Sequence, residues 1–147
     1  MKPLFILMTF VSSFFVTSIR AADDVSAAAL KSFQTTFSNA KDAAWTVTEN
    51  YYKVQFLLND QTLTAFYQSD GKLMGVTKNI SSLQLPIILQ TEIKREYSNY
   101  WITDLFELSN ENGTEYYMTI ENTDGRTVLK SSAVNTSWSV YQKLRKT

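Results

Sequence analysis

The sequence predicts an α+β protein made of two tandem helix–β–β–β units. The six strands form one antiparallel sheet, and both helices pack on the same face of it. Three observations lead there. Alternating apolar and polar runs come in sets of three, separated by short turn signals. Each set follows a stretch with helical spacing. The landmarks also recur at a similar interval: Trp45 and Trp101 are 56 positions apart, and Asp70-Gly71 and Asp124-Gly125 are 54 apart.

The chain begins with MKPLFILMTFVSSFFVTSIRAADD. Lys2 gives a basic start, an apolar stretch runs from Leu4 to Ile19, and the small residues Ala21 and Ala22 follow. The apolar run is shorter than the roughly 20 residues that span a bilayer. Residues 1–21 are therefore expected to be a cleaved signal peptide, leaving an exported chain with no membrane anchor. Without a Cys, lipid attachment is excluded.

Residues 22–78 form the first expected unit. Ala29, Leu30, Phe33 and Phe37 share a helix face. In the run from Tyr51 to Leu58, Tyr52, Val54, Phe56 and Leu58 share a strand face. Asn59-Asp60 suits a two-residue hairpin loop. Closing that loop pairs Leu58 with Gln61, Phe56 with Leu63, Val54 with Ala65 and Tyr52 with Tyr67. A second two-residue loop at Asp70-Gly71 then pairs Tyr67 with Met74 and Ala65 with Val76. All three strands bury one common side.

Residues 79–132 form the second unit, joined to the first through TKNISSLQ. Leu89, Ile93 and Tyr97 lie an i, i+4 step apart, and Pro86 fits the first turn of that helix. Phe106 and Leu108 mark the first strand, with SNENG as its turn. Tyr116, Met118 and Ile120 share a face in the second strand, and Leu129 joins them beyond Asp124-Gly125. Residues 133–147, which contain Trp138, Val140 and Leu144, are a tail expected to add a strand or a short helix.

Composition excludes several kinds of chemistry. The 147 residues contain no Cys and no His, so thiol nucleophiles, disulfides, imidazole bases and the usual zinc and haem ligands are ruled out. Setting aside Lys2 and Arg20 leaves 12 basic residues against 14 acidic, a net charge of about −2. The only basic run is the terminal KLRKT, so nucleic acid is not an expected partner. Asp60, Asp70 and Asp124 occupy turns, where Asp serves the backbone. Glu92 and Glu96, beside Lys94 and Arg95, suggest a solvated helix face. No catalytic residue or cofactor is therefore expected, and no metal site either, because the Asp-Gly loops are too short to gather a calcium shell.

At the level of motif, NAKDAAW, YYKVQF and TAFYQSDGKLM, followed by ELSNENGTEYYMTIENTDGR, resemble the β-lactamase-inhibitor-like, PepSY-like family of exported Bacteroidetes proteins. The resemblance covers about Val25 to Ser132. It rests on turns and core aromatics, which identify a fold better than an activity. It implies a periplasmic or secreted binding protein. PepSY modules restrain proteases, and β-lactamase inhibitor proteins hold an enzyme on a sheet surface. No motif in this chain marks a β-lactamase-binding loop.

The hairpin register also specifies the face turned away from the helices. Tyr51, Lys53, Gln55 and Leu57 lie there, opposite Gln68, Phe66, Thr64 and Thr62. Tyr117, Thr119 and Val128 hold comparable positions in the second unit. Aromatics on an exposed sheet face favour protein contact. The expected partner surface is therefore Tyr51, Lys53, Gln55, Leu57, Thr64, Phe66, Tyr117 and Thr119, and the expected partner is another envelope protein. The sequence leaves oligomeric state open. Two other readings stand beside this one: a carrier with a small-ligand or peptide pocket between sheet and helices, and a hydrolase built on paired carboxylates.

Overall fold

The structure, a computed structural model, describes residues 24–134 and 137–145. The expected signal peptide lies outside the described residues. Among those described, no helix is long and apolar enough to cross a membrane.

The fold has two layers. Helix α1 (Ala27–Thr36) is followed by β1 (Lys41–Val47), β2 (Tyr52–Leu58), β3 (Gln61–Tyr67) and β4 (Leu73–Asn79). A 3-10 turn (Ser82–Gln84) leads into α2 (Ile87–Glu96). Then come β5 (Trp101–Asn110), β6 (Gly113–Glu121), β7 (Gly125–Ser132) and β8 (Ser139–Arg145). The eight strands form one antiparallel sheet in strict sequence order, β1 to β8. Each helix is thus followed by four strands, one more than the sequence predicts. The additional ones are β1, and β8 in the tail.

Helix α1 starts at Ser26, whose hydroxyl accepts from the Ala29 N–H (3.2 Å) and donates to the Ser69 carbonyl (2.8 Å). One side chain therefore caps the helix and ties it to the β3–β4 turn. Ala29 and Phe33 point into the sheet as their spacing requires. They meet Trp45, Val54, Phe56, Ala65 and Tyr67, all buried. The Phe33 ring lies edge-on to Trp45 (5.5 Å) and Phe56 (5.0 Å). Burying such a ring contributes about 2 kcal/mol.

Helix α2 is preceded by Pro86, which occupies the N-cap position rather than the first turn. The Gln90 amide donates back to the Leu85 carbonyl (2.8 Å) and holds that entry. Leu89 packs with Leu105, Tyr116, Met118, Ile120, Leu129 and Trp138 in a second core. The tail belongs to this core. The indole N–H of Trp138 donates to the Leu89 carbonyl (3.3 Å), and its backbone N–H donates to the Glu92 carboxylate (3.0 Å). Glu92 is thus a half-buried anchor for the tail rather than a member of a solvated face. Glu96 pairs with Arg95 in the open.

The β2–β3 register is the predicted one throughout. Asn59 and Asp60 both have positive φ (50° and 64°), as a type I′ hairpin loop requires. The β3–β4 hairpin differs. Tyr67 pairs with Leu73 rather than Met74, because a bulge sits between the Phe66 and Tyr67 pairs. The Ala65–Val76 pair is as predicted. In the second half, Leu129 lies opposite Met118 across a four-residue loop. Phe106 and Leu108 are on the face away from the helices, opposite Tyr117 and Glu115, and Leu105 takes the core position.

The 54-residue spacing of the two Asp-Gly pairs does not mark equivalent turns. Asp70-Gly71 joins the third and fourth strands after α1, whereas Asp124-Gly125 joins the second and third after α2. Trp45 and Trp101 do lie on corresponding strands, each the first after its helix.

Candidate functional site

The face opposite the helices carries the expected surface residues, but in two patches. Tyr51, Lys53, Gln55, Leu57, Thr64 and Phe66 cluster on or beside β2 and β3, while Tyr117 and Thr119 are on β6. Strands β4 and β5 lie between them. At about 4.8 Å per strand, β3 and β6 are roughly 14 Å apart.

In the first patch the register sets Lys53 against Phe66 and Thr46, Gln55 against Thr64 and Ala44, and Leu57 against Thr62. Gln55 is exposed, and Lys53, Leu57 and Thr64 are half-buried. Two aromatic residues correct the expectation of open rings. Tyr51 and Phe66 are each only 5% exposed, and their rings lie 5.7 Å apart. Tyr51 is held from its backbone as well, because the Thr48 hydroxyl accepts its N–H and donates to its carbonyl.

The second patch is a packed cluster that register alone does not reveal. Tyr117 is 1% exposed. Phe106 stacks on it (5.2 Å, 15° between planes), Tyr141 meets it edge-on (5.6 Å), and the Lys130 ammonium sits 5.7 Å from its ring centre. Its hydroxyl donates to Glu115 (3.1 Å), which also pairs with Lys130 (3.2 Å). Burial first, then the Glu115 charge, push the Tyr117 phenol far above its ordinary range, so it stays protonated. Leu108 and Val128 complete the cluster. Leu108 sits close over Gly75, where a Cβ would come within 2.9 Å of its methyl group.

Tyr141 reaches this cluster through a bulge. Val128 pairs with Gln142 and Leu129 with Val140, leaving Tyr141 as the extra residue on β8. Thr119 is half-buried, with Asp104 opposite on β5 and Val128 on β7. Burial raises the Asp104 carboxyl, and a hydrogen bond from the Leu105 backbone opposes that rise. Asp104, Phe106, Glu115, Lys130 and Tyr141 therefore join the far face beyond the residues expected there. Phe106 could have been found by continuing the alternation from Leu108. Tyr141 had no such signal, because a bulge shifts the alternation of β8.

Of the turn acids, Asp70 serves the backbone. Asp70 accepts from the Lys72 N–H (2.9 Å), and Asn122 caps the β6–β7 loop by accepting from Asp124 and Gly125. Among the described residues, no group of three or more acidic side chains is placed to hold a metal ion. The space between α1 and the sheet is filled by Phe33, Phe37, Trp45, Phe56 and Tyr67, whose rings contact one another. Surface cavities among the described residues lie elsewhere. One of about 260 Å³ is beside the ends of β7 and β8, and one of about 240 Å³ is beside α2 and Ser137.

No family model and no curated protein matches the chain. Solved structures do. A BLIP-like protein of Bacteroides fragilis superposes with a TM-score of 0.68 at 16% identity, over 92% of this chain and 91% of that one. A DUF2874 family protein of Bacteroides ovatus gives 0.70 at 14% identity, over 80% and 89%. A protein of Bacteroides eggerthii thought to be periplasmic gives 0.71 at 10% identity, over 82% and 88%. At these identities the likeness establishes the fold: the chain shares its helix-backed antiparallel sheet with BLIP-like and DUF2874 proteins of Bacteroides.

Proposed function

We propose that this protein is an exported, non-catalytic binding module that holds or restrains an envelope protein on the sheet face opposite its helices. The observation that carries this reading is the composition of that face. Packed aromatic clusters around Phe66 and Tyr117 lie buried within it, bordered by the more exposed Lys53, Gln55, Thr64 and Thr119. A rigid aromatic centre with a polar rim is the usual anatomy of a protein-binding surface. The likeness to BLIP-like and periplasmic structures supports the same reading. On this reading residues 1–21 direct export, and the two helix-led halves, 22–78 and 79 onward, are copies of one unit. The matching element order supports the duplication.

The rings of Tyr51, Phe66 and Tyr117 act as a stiff platform, and the half-exposed residues around them make first contact. Phe66→Asp is therefore a poor probe, because it sets a carboxylate at a buried position. The better test uses the chain from Ala22 onward as bait against an envelope extract. The parent chain should retain one defined protein in a stoichiometric complex. Gln55→Arg with Thr64→Arg should lose it, and Leu83→Asp on the helix side should keep it. Equal capture by all three chains, or no capture by the parent, overturns the assignment.

A further inference from the structure

The two edges of the sheet differ. At the β1 edge, Asp42 has a left-handed backbone (φ 55°), and the register shifts between Lys41 and Ala44. Such an irregularity blocks the regular hydrogen-bonding of an added strand. At the other edge, β8 pairs with β7 on one side and, among the described residues, with no strand on its other side. From Gln142 onward it continues without irregularity, opposite Val128, Thr127, Arg126 and Gly125.

The side chains on this edge point to a particular guest. Lys143 and Arg145 lie opposite Thr127 and Gly125 and share one face of the sheet. Both are exposed, and neither makes an ion pair among the described residues. They line the cavity of about 260 Å³ together with Tyr100, Asn122, Asp124 and Arg126, so three cations there face one carboxylate. Leu144, 44% exposed, is on the other face opposite Arg126. The edge thus offers free backbone groups, a cationic pair on one side and an aliphatic side chain on the other. A second copy of β8 would set cation against cation.

We propose that β8 is a docking edge for an extended acidic peptide segment, which adds as a ninth strand. Its backbone pairs with Gln142–Arg145, its carboxylates face Lys143 and Arg145, and its alternate apolar side chains lie beside Leu144. This edge borders the far face proposed above, since Gln142 and Leu144 share that face, but it binds through backbone pairing and the Lys143 and Arg145 charges, so either proposal can fail without the other.

The probe is a capped octapeptide alternating Glu and Val, labelled for fluorescence anisotropy and titrated at neutral pH. Three comparisons accompany it: the Lys/Val peptide, the Glu/Val peptide N-methylated at alternate amides, and the Lys143→Glu/Arg145→Glu variant. The acidic peptide should bind and should slow amide exchange along 142–145. Removing two exposed ion pairs should weaken it by about tenfold in the variant. The N-methylated peptide, which keeps every charge but cannot pair as a strand, should not bind. Equal binding of the N-methylated peptide would show charge association without strand addition and would overturn the proposal. So would equal binding of the Lys peptide, or no binding at all. The double substitution is on exposed positions, and an unchanged thermal midpoint would show that the variant is folded.

Discussion

Trp138 offers the most direct test of how the second half is held together. It is 6% exposed and lies in the core beneath α2, although it belongs to a tail that the sequence left without a firm structure. Trp138→Ala removes the ring and the indole hydrogen bond to Leu89. Truncating a buried Trp costs about 3–5 kcal/mol, and the lost hydrogen bond is a net term of about 1 kcal/mol within that range. A domain of this size is stable by about 6–18 kcal/mol, so the loss is a sizeable fraction. At about 4 °C per kcal/mol, the thermal midpoint should fall by roughly 15 °C. Circular dichroism on heating measures this without relying on the deleted fluorophore. Leu83→Ala, at a position 79% exposed, is the control and should stay within about 0.5 kcal/mol. If Trp138→Ala lowered the midpoint by less than about 4 °C, β8 would not be part of the second core and the reasoning would fail.

Other outcomes follow from single residues. The Tyr67 hydroxyl is buried and makes no hydrogen bond of good geometry, with only a weak polar contact from Ser32, so Tyr67→Phe should leave stability unchanged or raise it by up to about 1 kcal/mol in urea unfolding. Burial also lifts its phenol to about 12, against a nearby Ser32 that pulls the other way. Between pH 10 and about 12 the unfolded chain has released a proton that the folded chain keeps. Stability is therefore full below pH 10 and falls as pH rises toward 12, and Tyr67→Phe should reduce that slope. Gly71 has φ +90° and sits 2.8 Å, at a would-be Cβ, from the Ala28 backbone. Gly71→Ala should therefore destabilise by about 1–3 kcal/mol in the same assay. Asp60→Gly, at φ 64° in the β2–β3 loop, should be stabilising by about 0.5–1 kcal/mol.

The parts of the fold that were legible in the sequence are those set by local rules. The β2–β3 pairing follows from alternation plus a two-residue loop, and both were visible at Asn59-Asp60. Strand β1 was missed because Lys41-Asp42-Ala43-Ala44 has neither alternation nor β-forming side chains, and it becomes a strand only by pairing with β2. The Tyr67 register slipped because a bulge inserts a residue that no local pattern marks. The site was half legible for a related reason. Register assigns Tyr51, Phe66 and Tyr117 to the face opposite the helices, but not how neighbouring rings lie against them. Phe106 and Tyr141 close over Tyr117 from strands on either side, and one of them arrives through a bulge.

Every strand partners the one before it along the chain, so within each helix-led half the ends that must meet are near neighbours, and only β4 and β5 are joined across a helix. Closing such short loops loses little chain entropy, so the sheet can zip up hairpin by hairpin without waiting for distant segments to find each other. Rapid self-assembly, starting from whichever segment is released first, is the behaviour this wiring favours.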